Sequence, residues 1–62
     1  MPIAFLHILE GRNKETKNQL IAEVSEAMSR TLEVDPSKVR VLVQEVPKEH
    51  WAEAGITKAD RL

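Results

Sequence analysis

Chemistry in this 62-residue sequence has few places to reside: a proline directly behind Met1, arginines at 12 and 40, two histidines, and a single tryptophan at 51. Proline has no backbone N–H and is tolerated as the first residue of a strand, so Pro2 at the head of PIAFLHIL reads first as a strand starter. A planar guanidinium can hold a carboxylate or a developing oxyanion through paired hydrogen bonds, which is the chemistry open to Arg12 and Arg40. Taken alone, Arg12 reads as a solvated loop charge. Arg40 lies within a strand and demands a partner, either a carboxylate of a neighbouring subunit or a bound anion. His7 and His50 read as a core and a surface histidine, and Trp51 alone as oligomer core. With no cysteine there is no disulfide or thiolate metal site, and two histidines without cysteine partners are a poor start for structural zinc. No metal or organic cofactor is expected.

Three segments must position these residues. In PIAFLHIL both alternating sets are largely apolar, Ile3, Phe5 and Leu9 with His7 on one side and Ala4, Leu6 and Ile8 on the other, which predicts a strand covered on both faces. Gly11 then punctuates the chain, Asn13 is a good N-cap, and Glu15 suits a first helical turn. Leu20, Ile21, Val24, Ala27, Met28, Thr31 and Leu32 recur at helical spacing, predicting an amphipathic helix over roughly 14–32. Its opposite face carries Glu23, Glu26 and Arg30. After the turn signal Asp35-Pro36, VRVLVQEV reads as a second strand, with Arg40 on the same side as Leu42. Strand, helix and strand form one βαβ unit with parallel strands. The tail PKEHWAEAGITKADRL predicts a short turn around His50 and Trp51, then a Gly55-centred bend with a small edge ribbon.

The composition, 42% hydrophobic and 31% charged, predicts one folded domain over 1–62. A helix covers one face of a two-stranded sheet, and nothing in the chain covers the other. A chain this short also buries little apolar surface, and without disulfides or metal the remaining staple is oligomerisation. Subunits are therefore expected to pair edge to edge and bury their bare faces together. A net charge of −1 and a pI near 6.1 provide no broad footprint for nucleic acid or a membrane surface. The longest wholly apolar run, IAFL, is far below the ~18 residues of a membrane span, and nothing resembles a signal peptide, so a cytoplasmic location is expected.

The start MPIAFLHILEGR with Pro2 and Arg12, the segment LIAEVSEAMSRTL, the strand VRVLV with Arg40, and HWAEAG with Trp51 together resemble the 4-oxalocrotonate tautomerase family over essentially the whole chain. The resemblance implies an α/β fold: a small β-α-β subunit with a short C-terminal ribbon, dimerising into a four-stranded sheet, with three dimers making a homo-hexamer. It also implies removal of the initiator methionine and use of the exposed proline, Pro2, as general base. Arg12 and Arg40 take the places of substrate-binding and catalytic arginines, Trp51 that of a pocket aromatic commonly Phe, and Leu9 that of an apolar pocket residue. The implied substrate is a small 2-oxo acid or dienol such as 2-hydroxymuconate, in the catabolism of aromatic hydrocarbons.

Physical chemistry is consistent with those roles. Loss of Met1 turns an inert amide into a secondary amine fixed to a strand. An ordinary α-amine, with a pKa of ~7.7 to 8.0, is only about a tenth to a sixth free base at pH 7. Apolar neighbours and arginine cations both disfavour the ammonium form and would raise that fraction. A keto–enol shift builds charge on an enolate oxygen, which a guanidinium can share with a carboxylate. Glu53 lies two residues after Trp51, where dehalogenases of the same superfamily carry a water-activating glutamate. Those enzymes resemble an arginine where this chain has Leu9, so Glu53 reads here as an exposed tail residue. Hydratase or dehalogenase activity is the enzymatic alternative, and a non-catalytic oligomeric scaffold the other.

Overall fold

The computed structural model describes residues 1–61. Strand β1 spans Ile3–Leu9, helix α1 Lys14–Leu32 and strand β2 Arg40–Val46, and the two strands pair in parallel from Ile3 opposite Arg40 to Leu9 opposite Val46. The βαβ arrangement is the predicted one. The Asn13 side chain accepts the Thr16 N–H at 2.8 Å, satisfying one orphan donor of the first turn, an interaction typically worth about 1 kcal/mol. At the other end Glu33 stands in the left-handed region at φ 56°, and its N–H and that of Val34 both reach the Ser29 carbonyl. The Ser29 hydroxyl donates back to the Val34 carbonyl at 2.7 Å. Asp35 and Pro36 start a 3-10 turn over Pro36–Lys38, in which the Asp35 carboxylate accepts the Ser37 N–H at 2.9 Å.

The two faces of the sheet differ sharply. Ala4, Leu6 and Ile8 of β1 and Val41 and Val43 of β2 are half-buried on the helix side, as are Leu20, Ile21, Val24, Ala27 and Met28 of α1. Lys17 crosses from helix to sheet and pairs with Glu45 at 2.9 Å, on the same parity as Val41 and Val43. Thr31 and Leu32, predicted to pack, are exposed, Leu32 by 53%, because the helix has run past the part of the sheet it covers. On the opposite face Ile3, Phe5 and Leu42 are 53%, 69% and 48% exposed. His7 lies there too, exposed rather than in a core. No described residue is fully buried.

A compact chain of this length has a radius of gyration of about 10.6 Å; here it is 14.6 Å, with extents of 43 × 24 × 13 Å. The subunit is a two-layer plate with a tail. Pro47 ends β2, since it has no N–H for the ladder, and caps a 3-10 turn over Lys48–His50. Beyond it β3 (Ala52–Glu53) and β4 (Ile56–Thr57) form an antiparallel ribbon. The short C-terminal ribbon is the predicted one. Among the described residues it pairs with itself and not with the main sheet, turning through Ala54 and Gly55 at φ 54° and 80°, a positive-φ pair of the kind that matches hairpin twist. No described helix is long and apolar enough to cross a membrane.

Candidate active site

The predicted site residues fall into two groups at opposite ends of the sheet. At one end the Pro2 carbonyl accepts the Arg40 N–H at 3.0 Å, extending the parallel ladder by one bond and fixing the proline backbone at the mouth of β1. The Arg40 side chain bends back onto the 3-10 turn, its Nη1 donating to the carbonyls of Ser37 at 3.0 Å and Val39 at 3.5 Å. At the other end the ladder closes with the Glu10 N–H on the Val46 carbonyl at 3.0 Å. Gly11, at φ 121°, lets the chain leave the strand, and Arg12 folds its Nη1 back onto the Leu9 carbonyl at 3.0 Å.

The tail reaches this second end. The Glu10 carboxylate accepts the Lys48 N–H at 3.2 Å, which docks the 3-10 turn preceding Trp51. The Trp51 carbonyl accepts the Lys58 N–H at 2.7 Å, which ties the end of the ribbon to the tryptophan. Between strand end and ribbon lies an open groove of about 300 Å³, lined by His7, Leu9, Arg12, Trp51, Glu53 and Lys58 among others. Leu9, Arg12 and Trp51 therefore share one groove, two apolar side chains and a cation among its lining. Pro2 and Arg40 do not line it. Six residue steps of strand, roughly 20 Å, separate Ile3 from Leu9, so one subunit cannot bring both groups to one small molecule.

The charges are distributed in a telling way. Among the described residues Lys17, Arg30 and Arg61 pair with Glu45, Glu26 and Glu53, whereas Arg12 and Arg40 reach only backbone carbonyls. Their guanidinium charges are left without a carboxylate partner. Glu53 is exposed but is also part of the groove, and Arg61 holds it through its carbonyl at 2.7 Å and its carboxylate at 3.7 Å. Lys58 and His7 are groove residues that spacing along the sequence did not single out. The only signal for His7 is its alternation with Leu9 on β1, and Lys58 carries none, since its place depends on the path of the ribbon.

A family model described as "Tautomerase enzyme" matches residues 2–61. The chain belongs to the tautomerase family. A 2-hydroxymuconate tautomerase of Pseudomonas putida is 56% identical over 55 residues, covering 89% of this chain and 87% of that protein. The solved structure of a 4-oxalocrotonate tautomerase isozyme from Methylibium petroleiphilum superposes with a TM-score of 0.90 at 45% identity, over 94% of this chain and 91% of that one. A heterohexamer 4-oxalocrotonate tautomerase from Chloroflexus aurantiacus superposes with a TM-score of 0.92 at 37% identity, over 97% of both chains. The fold is thus the tautomerase β-α-β fold, and as a tautomerase the chain is an isomerase. In this family setting the groove at the Leu9–Arg12–Trp51 end is the candidate substrate pocket.

Proposed function

We propose that this tautomerase interconverts the enol and keto forms of a 2-oxo acid of the 2-hydroxymuconate kind, with the secondary amine of Pro2, freed by removal of Met1, as general base and acid. The observation that carries the reading is the Arg40 N–H to Pro2 carbonyl bond, which holds the proline at a fixed strand end beside an arginine with no carboxylate partner. The name of the Pseudomonas putida relative supports the substrate class. In the proposed reaction Pro2 takes the proton of the 2-hydroxyl and returns one to a distal carbon of the conjugated system. Arginine donors hold the charge that builds on the oxygen, and the second arginine holds a carboxylate.

Because the two groups lie at opposite sheet ends, the site is composite. A second subunit running antiparallel beside the first brings its own Arg12 end towards the first subunit's Pro2 end. Covering the exposed Ile3, Phe5 and Leu42 face then takes further copies, and the assembly proposed is a homo-hexamer, a trimer of dimers, an architecture supported by the heterohexamer relative. Glu53 in the groove favours a second reading, addition of water to an unsaturated acid. Its ion pair with Arg61 argues against a free carboxylate base and leaves that reading second.

The test combines intact mass with a spectrophotometric assay on 2-hydroxymuconate and enolised phenylpyruvate. Activity is expected to track the fraction of chains that have lost Met1, because the nitrogen of an internal proline is an amide with no useful proton affinity near pH 7. Full activity in a wholly Met1-retaining preparation refutes the amine as base.

A further inference from the structure

Beyond Pro47 the chain leaves the β-α-β body of residues 1–46, and its later hydrogen bonds are mostly made within the tail itself. The Lys58 N–H, at the start of the last 3-10 turn (Lys58–Asp60), donates to the Trp51 carbonyl at 2.7 Å, and Arg61 holds Glu53. Among the described residues one hydrogen bond crosses from the tail to the body, the Lys48 N–H donating to Glu10 Oε2 at 3.2 Å, and no ion pair crosses. Glu10 thus grips both sides of the proline. Its own N–H donates to the Val46 carbonyl at 3.0 Å, closing the ladder, and its carboxylate takes the first N–H after Pro47, which has none to give. That N–H opens the 3-10 turn over Lys48–His50 and would otherwise be an orphan donor, since no side chain within the turn caps it. Glu10 makes no ion pair among the described residues, so the Lys48 N–H is the one partner of its carboxylate there.

Resting on the tautomerase reading only for its kinetic consequence, we propose that Glu10 is a positioning residue, whose carboxylate docks the tail through the Lys48 N–H and so aims Trp51 at the groove. Trp51 follows the turn directly, its N–H on the Lys48 carbonyl at 3.4 Å, and the ribbon follows Trp51 through Lys58. Without the carboxylate, Pro47 becomes a hinge and the tryptophan swings with the tail. The net worth of one such hydrogen bond corresponds to a factor of about five in the docked population. A substrate that meets a complete groove only in the docked state loses apparent affinity by up to that factor, whereas the bound, docked enzyme reacts at its former rate.

Trp51 is the single tryptophan of the chain, so its fluorescence reports on the tail without ligand or turnover. In the Met1-free, assembled protein Glu10→Ala is expected to make Trp51 more accessible to acrylamide and to lower its anisotropy, with sedimentation unchanged. Glu10→Gln, whose amide oxygen can accept the same N–H, should restore most of both. In steady state Glu10→Ala should raise KM by up to about fivefold, and equally for 2-hydroxymuconate and enolised phenylpyruvate, with little change in kcat. A merely structural loss does the reverse, lowering kcat through the fraction of folded enzyme and leaving KM alone. Unchanged quenching or unchanged KM in Glu10→Ala overturns the proposal, as does equal behaviour of Glu10→Gln and Glu10→Ala. Dissociation of Glu10→Ala into subunits overturns it too, because the carboxylate would then be holding subunits together rather than the tail. Failure of the unaltered protein to turn over either 2-oxo acid instead sinks the substrate reading, and the fluorescence still decides the role of Glu10.

Discussion

Phe5→Ala should separate the stability of the subunit from that of its assembly. In the isolated chain Phe5 is 69% exposed on the sheet face opposite α1, so truncating it removes almost nothing that the subunit itself uses. Aromatic side chains bury some 150–250 Å² when fully covered, which leaves roughly 140 Å² of Phe5 available to a second subunit. At about 25 cal/mol per Å² this is ~3.5 kcal/mol per subunit, of which a remaining alanine methyl retains a little, so the expected loss is about 3 kcal/mol. Each 1.4 kcal/mol is tenfold, which makes the change roughly two orders of magnitude in association per subunit. Sedimentation equilibrium over a dilution series reads it directly. The melting temperature of the variant should also become more dependent on protein concentration, as mass action requires. Glu26→Ala is the control: Glu26 and Arg30 are 77% and 69% exposed at their side chains, and their 3.6 Å pair should contribute next to nothing. Unchanged association in Phe5→Ala, or a stably folded monomer of the unaltered chain, would refute the inference that this face is covered by other copies.

Arg40→Ala should leave assembly intact and lower kcat on 2-hydroxymuconate by about 10²–10³-fold, the usual consequence of removing one donor to a developing oxyanion; equal kinetics in an assembled variant leaves Arg40 structural. Asp35 predicts a pH dependence of stability. The Ser37 backbone N–H, aided by the Ser37 side chain, holds the Asp35 carboxyl below its ordinary value of 3.8. A folded pKa below the unfolded one means a stabilisation fully present above 3.8 and lost as pH falls through the lowered folded value. Asp35→Asn should therefore be less stable than the unaltered chain at neutral pH, with the difference in melting temperature disappearing in acid; a constant difference across that range contradicts the assignment.

How much of this was legible beforehand depends on whether the cause was local. Helix α1 begins and ends where the sequence predicts because Asn13 caps its first turn and the apolar spacing runs without a break. The packing of its last turn was not legible: Thr31 and Leu32 continue the apolar spacing but stand exposed in the subunit. Glu33 in the left-handed region carried no signal, since glycine is the usual mark of that conformation. The ribbon was legible as a bend at Gly55, but not its independence from the main sheet, which follows from Pro47 interrupting the ladder one residue after Val46. Of the proposed site, Pro2, Arg12 and Arg40 could be singled out by type and by position at strand ends. Lys58 could not, because it lies 46 positions from Arg12 and meets the groove only through a tertiary path.

The separation of the two residue groups and the absence of a buried core have one physical origin. Seven-residue strands make a sheet about 20 Å long, long enough to hold Pro2 and Arg40 apart from Leu9, Arg12 and Trp51, and too narrow at two strands to enclose anything. Backbone bonds at each end, from Arg40 to Pro2 and from Glu10 to Val46, already fix the local geometry. What a single chain lacks is the opposing end. In the proposed assembly an antiparallel neighbour would provide that end and extend the sheet in the same step, and further copies would cover the exposed Phe5 and Leu42. Sheet extension and site completion would thus be the same contact, so a change that loosens subunit pairing must also disperse the arginines around Pro2. In such a protein the free energy of assembly is what orders the active site, and a folded but unpaired subunit would carry each piece of the chemistry without being able to perform it.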